Sequence, residues 1–96
     1  MKVVLTIEDF EVWLRERGYD KRMGKENFEV FLKTGLAGLF FMNSSLLMGY
    51  ILSSLGLPSE RITDKVRFEV GRRVSEIKAT RDRLEVVINF KANFNP

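Results

Sequence analysis

Apolar residues in the first third of the chain follow two different periods. Residues 2–5 (Lys-Val-Val-Leu) are mostly apolar and rich in β-branched side chains, the length of one short strand. Thr6 then opens a helix. Its hydroxyl can accept from a free N–H of the first turn, with Asp9 three residues on completing a capping-box-like pair. Ile7, Phe10, Trp13 and Leu14 share one face at helical spacing, with Glu8, Asp9, Glu11, Arg15 and Glu16 mostly opposite. Gly18 suits the left-handed residue that ends a helix, and Tyr19 is placed to fold back onto the last turn. The pattern predicts a helix over 7–17 and a polar connection over 18–24.

The middle of the chain changes character. No charged residue occurs from Thr34 to Ser59, and 36–57 is apolar on nearly every side. Wound as one helix at about 100° per residue, Gly35, Gly38, Met42, Ser45, Gly49, Ser53 and Gly56 fall within an arc of roughly 80°. Leu39, Phe40, Phe41, Leu46, Leu47, Ile51, Leu52 and Leu55 cover the remainder, leaving a greasy helix with one smooth stripe. A membrane span has the length and, in Ser45-xxx-Gly49-xxx-Ser53, a motif for close helix packing. Against it, Asn43, Ser44 and Ser45 sit near the middle, both flanks carry both signs of charge, and no Trp/Tyr belt marks either end. A helix pair broken near Gly35–Gly38 is a second arrangement. A single buried helix over 34–57 is favoured, because the last third reads as a sheet with one face in water.

Pro58 makes further helix improbable. Ile62, Asp64, Val66, Phe68 and Val70 then alternate with Thr63, Lys65, Arg67 and Glu69, the period of a half-buried strand. Gly71-Arg72 can turn the chain, 73–80 suits strand or helix, and Arg81-Asp82 reads as a second turn. Leu84, Val86, Ile88, Phe90, Ala92 and Phe94 alternate with Glu85, Val87, Asn89, Lys91 and Asn93 in the clearest strand pattern of the chain. A three-stranded antiparallel meander is the economical reading of 60–94, with 93–96 frayed. Its competitor is one helix over 64–79 with Val66, Val70, Val74 and Ile77 on one face.

Helices followed by antiparallel strands make the expected class α+β, in a single domain over 1–96 divided as 1–33, 34–57 and 60–94. With 96 residues there is material for one core only. A helix apolar on all sides has more surface than one small helix and one sheet face can cover. The surplus predicts a homo-oligomer, most simply a dimer, whose seam is the small stripe of Gly38, Ser45, Gly49 and Ser53.

Composition narrows the chemistry by what is missing. With no Cys and no His, the chain has no disulfide, no Cys/His zinc site, no thiol nucleophile and no His-based triad. The acidic pairs Glu8/Asp9 and Glu26/Glu29 fall on solvated helix faces, the glycines form no phosphate-binding loop, and no EF-hand spacing occurs. A non-catalytic protein without metal or cofactor is expected. The N-terminal residues reach acidic side chains by Glu8, without a signal peptide's longer apolar run, so the cytoplasm is the expected location. Absence of Gln beside abundant Glu and Arg leans towards a thermophile.

Charge is shared unevenly. Residues 1–33 are neutral, so the whole +3 excess lies in 60–96. Lys65, Arg67, Arg72, Arg73, Arg81 and Arg83 lie on the predicted strands and turns, and the planar fork of Arg suits phosphate. This makes DNA or RNA the leading partner, bound through sheet and turns. The plainer use of such charges is to keep sheet edges soluble. A second candidate is a ligand pocket on the apolar helix, where Asn43, Tyr50 and Ser54 lie within about 40° of each other. The expected function is therefore a non-catalytic, homo-oligomeric binding protein contacting nucleic acid or another macromolecule. The alternatives are a carrier of small apolar ligands or lipids and a membrane-associated subunit.

Overall fold

In the computed structural model, which describes residues 1–89, a strand at Lys2–Thr6 (β1) leads directly into a helix at Ile7–Glu16 (α1). Helices at Tyr19–Met23 (α2), Lys25–Met42 (α3) and Ser44–Ser54 (α4) follow, then a single 3-10 turn at Ser59–Arg61. A helix at Asp64–Gly71 (α5) and a hairpin of strands Val74–Ala79 (β2) and Arg83–Ile88 (β3) complete the described chain. The class is α+β, as the order of patterns predicts. Three strands form one antiparallel sheet in the order β1-β3-β2, so the N-terminal strand pairs with the last one. Val3, Leu5, Leu84, Val86 and Ile88 bury one face of it. Phe10 and Leu14 of α1, Phe28, Leu36 and Leu39 of α3, and Leu47, Tyr50 and Ile51 of α4 complete the core. Each fully buried Leu, Ile or Phe among them contributes about 1.5–3 kcal/mol.

Local chemistry explains the elements that match the sequence reading. The Thr6 hydroxyl accepts from the Asp9 backbone N–H at 3.2 Å, and Gly18 ends the first helix with φ 77°. Tyr19 stacks on Trp13 with ring centroids 6.4 Å apart. The polar connection expected over 18–24 winds one short helix, Tyr19–Met23.

The single helix expected over 34–57 is interrupted twice. At Gly35 the backbone takes φ 79° and ψ 169°, and the two amides freed there are not lost. Leu36 N–H donates to the Arg81 carbonyl at 2.8 Å and Ala37 N–H to the Thr80 carbonyl at 3.0 Å. The broken helix thus docks on the tip of the β2–β3 hairpin. The second interruption, at Asn43, turns α4 away from α3 by 102°. Asn43 leaves helical geometry and its side-chain oxygen accepts from Leu46 N–H at 3.2 Å, capping the new helix. Among the described residues no single helix is long and apolar enough to cross a membrane; α3 and α4 reach that length only together, across this bend.

The first strand of the expected meander is a helix. Thr63 caps α5 by accepting from Val66 N–H at 3.2 Å, with Asp64 in the first turn. A strand over 62–70 would direct Asp64 to the same face as Val66 and Phe68, whereas the helix leaves its side chain 98% exposed. Residues 74–79 are a strand, so 64–79 is neither one helix nor two strands. The last strand is described to Ile88; its expected continuation to residue 94 and the fraying of 93–96 lie outside the described residues.

A candidate ligand groove with an arginine at its rim

Helices α4 and α5 meet where α4 has no side chain. An ideal Cβ on Gly49 would lie 3.4 Å from Arg67 Nη2 and 3.6 Å from its Nε, so the glycine lets the guanidinium rest against the α4 backbone. On either side of Arg67 there is a cavity. The larger, about 410 Å³, opens between α4, α5 and the inner face of the hairpin. Ile51, Val74, Ile77 and Val86 line it with Phe40 and Met48, while Phe68 and Gly71 come from α5. Its polar groups are Ser44, Ser45, Asp64 and Arg67. Phe68 in its wall is 66% exposed, so the groove presents apolar surface to solvent as well.

The smaller cavity, about 140 Å³, lies between α1, α4 and the segment from Ser59 to Arg67. Trp13, Arg17 and Tyr19 line one side, and Gly49, Ser53, Ser59 and Arg67 the other. Trp13 is held by Phe10, Tyr50 and Tyr19 at centroid distances of 6.0, 5.3 and 6.4 Å. The Arg17 guanidinium stacks on its ring at 4.3 Å and reaches the Ser53 hydroxyl at 3.4 Å. Burial in this aromatic cluster, and secondarily the negative charge of Asp9, pushes the Tyr50 hydroxyl up to about 12. Trp13, Arg17 and Tyr19 sit in the neutral third of the chain, away from the net charge. Their signal was the spacing of Trp13 and Arg17, four apart on one helix, where an aromatic face and a guanidinium meet.

The structure does not gather the six basic residues singled out from the sequence. Arg72 and Arg73 both pair with Glu69, at 3.5 and 3.1 Å. The hydrogen bond from Arg73 holds the Glu69 carboxyl below the usual carboxylate range, and the charges of Arg72, Arg73 and Lys65 add to it. Arg83 pairs with Glu85 at 3.4 Å, and Lys2 reaches the same carboxylate at 2.7 Å. That Lys2 contact is the main cause of Glu85 lying below its ordinary range. Arg81 sits at the hairpin tip against Gly35, Arg67 pairs with Asp64 at 3.0 Å, and Lys65 is exposed on α5. Arg72 and Arg73 precede β2 while Arg81 and Arg83 follow it, so the two pairs are separated by about 20 Å of strand.

The other two candidate sets are also dispersed. Asn43 caps α4, Ser54 donates to the Ile51 carbonyl at 2.6 Å, and Tyr50 is buried, so the three line neither cavity. In the small stripe, the break at Asn43 takes Gly38 off the face it would share with the others. Gly49 is covered by Arg67, Ser53 accepts from Arg17, and Ser45 alone stands exposed, on the rim of the larger groove. Two of the four small positions, Gly49 and Ser53, thus meet arginines of the same chain.

No protein-family model matches the chain, and no solved structure does. An uncharacterised protein of Archaeoglobus fulgidus is 50% identical to it over 84 residues, covering 85% of this chain and 94% of that protein. That organism is a thermophilic archaeon, the habit towards which the composition leans. The chain belongs to one family with this archaeal protein.

Proposed function

We propose that the protein is a non-catalytic binding protein whose groove between α4, α5 and the hairpin takes a small apolar or amphiphilic molecule. The groove itself carries the reading: about 410 Å³ of concave space with mostly apolar walls and a few polar groups, one of them Arg67. Sites that take drug-sized molecules have this size and make-up. The basic residues support nucleic acid less well, because most are already paired with carboxylates and they do not share one surface.

The test is the fluorescence of the uncharged probe N-phenylnaphthylamine, displaced by fatty acids of increasing chain length. Saturable, displaceable binding is expected. Ser45 is exposed on the groove wall, so Ser45→Phe should fill the space and abolish binding while changing stability by no more than about 0.5 kcal/mol. A chain that takes up no probe and scatters light with twice its mass would put a second copy over the groove and overturn the proposal.

A further inference from the structure

We propose that the small pocket beside Trp13 is an oxyanion site, in which a phosphate or phosphate-like group sits between the guanidiniums of Arg17 and Arg67. The inference stands apart from the apolar groove and draws on the chemistry of the pocket wall. Six side chains there can donate hydrogen bonds: the Trp13 indole, the two arginines, and the hydroxyls of Tyr19, Ser53 and Ser59. No carboxylate lines the space. Two arginines therefore line one cavity of about 140 Å³ that has no carboxylate in its wall.

Two of the donors are also left without acceptors. Trp13 Nε1 and Arg67 Nε are both withdrawn from solvent, and neither has a hydrogen-bond partner. Buried polar groups are almost always satisfied, so an orphaned nitrogen on each of two residues that line one small cavity is a feature to be explained. Arg17 makes no ion pair among the described residues; its contacts are the Trp13 ring, the Trp13 carbonyl and the Ser53 hydroxyl. Arg67 has one ion pair, with Asp64, whose side chain is 98% exposed and hence well screened by water. A small turn of the flexible Arg67 guanidinium, which rests on Gly49 rather than on a side chain, brings its Nε to bear on an entering oxygen. The cavity has room for a phosphoryl or carboxyl group. Arginine forks are the side chains that recognise such oxyanions in two-point fashion.

Because Arg67 lines both cavities, the same group could arrive free or as the head of a molecule lying in the groove. The second source rests on the groove reading; the first does not.

Trp13 is the single tryptophan of the chain, so its emission reports the pocket directly. Titration of the full chain with inorganic phosphate at constant ionic strength should change that emission saturably, and chloride should not. Arg17→Gln and Arg67→Gln should each weaken binding about tenfold or more, the worth of a charge-assisted contact. Arg15→Gln, outside the pocket on the Glu11 and Asp20 carboxylates, should bind as the parent does. Arg17 is exposed, so its variant folds and keeps the test decisive even if Arg67→Gln is unstable. Dodecyl phosphate separates the sources: tighter binding that Ser45→Phe removes identifies a head-group site, and affinity equal to that of phosphate identifies a free anion. Either result supports the pocket, and phosphate binding by Ser45→Phe holds whatever becomes of the groove. No saturable change with either anion, or affinity unaltered in Arg17→Gln, overturns the proposal.

Discussion

Gly35 joins the helical layer to the sheet, and the way it does so leaves no room for a side chain. Its φ of 79° and ψ of 169° belong to a region open essentially to glycine alone. A Cβ there would lie 2.5 Å from Arg81 Cγ and 2.9 Å from the Arg81 backbone, which the hairpin cannot yield without losing the bonds to Leu36 and Ala37. Gly35→Ala should therefore destabilise the chain by about 3 kcal/mol or more in urea unfolding, combining backbone strain with a clash. A loss below about 1 kcal/mol would mean that the hairpin tip gives way freely. From the sequence Gly35 was readable as a place for a helix to break, but not as a docking point, because Arg81 is distant along the chain. The contact at Gly49 was hidden for the same reason. Small residues at helical spacing suggest a second helix, whereas what lies on Gly49 is the long side chain of Arg67. Tyr50 adds a dependence on alkaline pH. It ionises near 10 in an unfolded chain and at about 12 when folded. The stability gained by keeping it neutral is whole below about pH 10 and is lost as pH rises through about 12, up to about 2–3 kcal/mol. Urea midpoints measured across that range should fall in the parent and fall less in Tyr50→Phe; parallel curves would remove Tyr50 as the cause.

Elements were legible where their own ends carried the signal. Thr6, Asn43 and Thr63 each accept from a backbone N–H three residues on, and that chemistry is local. Thr6 was read correctly because the amphipathic pattern after it is clean. Thr63 was not, because Val66, Phe68 and Val70 fit a period of two as readily as a short helix with Val66 and Val70 one turn apart. The charge of Asp64 decides between them in the fold, since it cannot share a buried sheet face. Asn43 reads from the sequence as a polar intrusion into a membrane span or as a pocket residue, when Asn followed by Ser-Ser is equally a start signal inside an apolar run. Periodicity could not show this, because α4 is apolar on most sides and has no polar face to mark where it begins. The pairing of β1 with β3 joins the two ends of the described chain, which no local pattern encodes. With β1 at one edge and β3 in the centre, the hairpin and α5 come to face α4 across the groove. The binding space is therefore a product of long-range assembly, and only its individual apolar residues were visible beforehand.

At the scale of the whole molecule, the net charge of +3 has to be judged by where it is held rather than by how many residues carry it. Glu69 holds Arg72 and Arg73, and Glu85 is shared by Arg83 and Lys2, so much of the positive field beside β2 is cancelled within contact distance. The pairs that remain stand at opposite ends of a strand about 20 Å long. A nucleic-acid site built on all four turn arginines would release counterions at each contact. Log affinity would then fall against log salt with a slope of roughly −3 to −4. The arrangement found predicts something shallower. Replacing Arg72, Arg73, Arg81 and Arg83 together with Gln should weaken retention of generic DNA or RNA at low salt no more than replacing Arg15, Arg17 and Arg22 does, as diffuse charge requires. The quadruple and the triple variant differ in what else they disturb, so thermal unfolding must accompany the binding curves. Loss of the Arg72–Glu69 pair should cost little, because water screens it. Arg73, by contrast, is 11% exposed and also donates to the Glu69 backbone carbonyl at 2.6 Å, so most of any stability loss should come from Arg73. A steep slope in the parent that only the Arg72, Arg73, Arg81 and Arg83 set abolishes would restore the sheet and its turns as a nucleic-acid surface. It would also require Glu69 and Glu85 to release their arginines when the phosphates arrive.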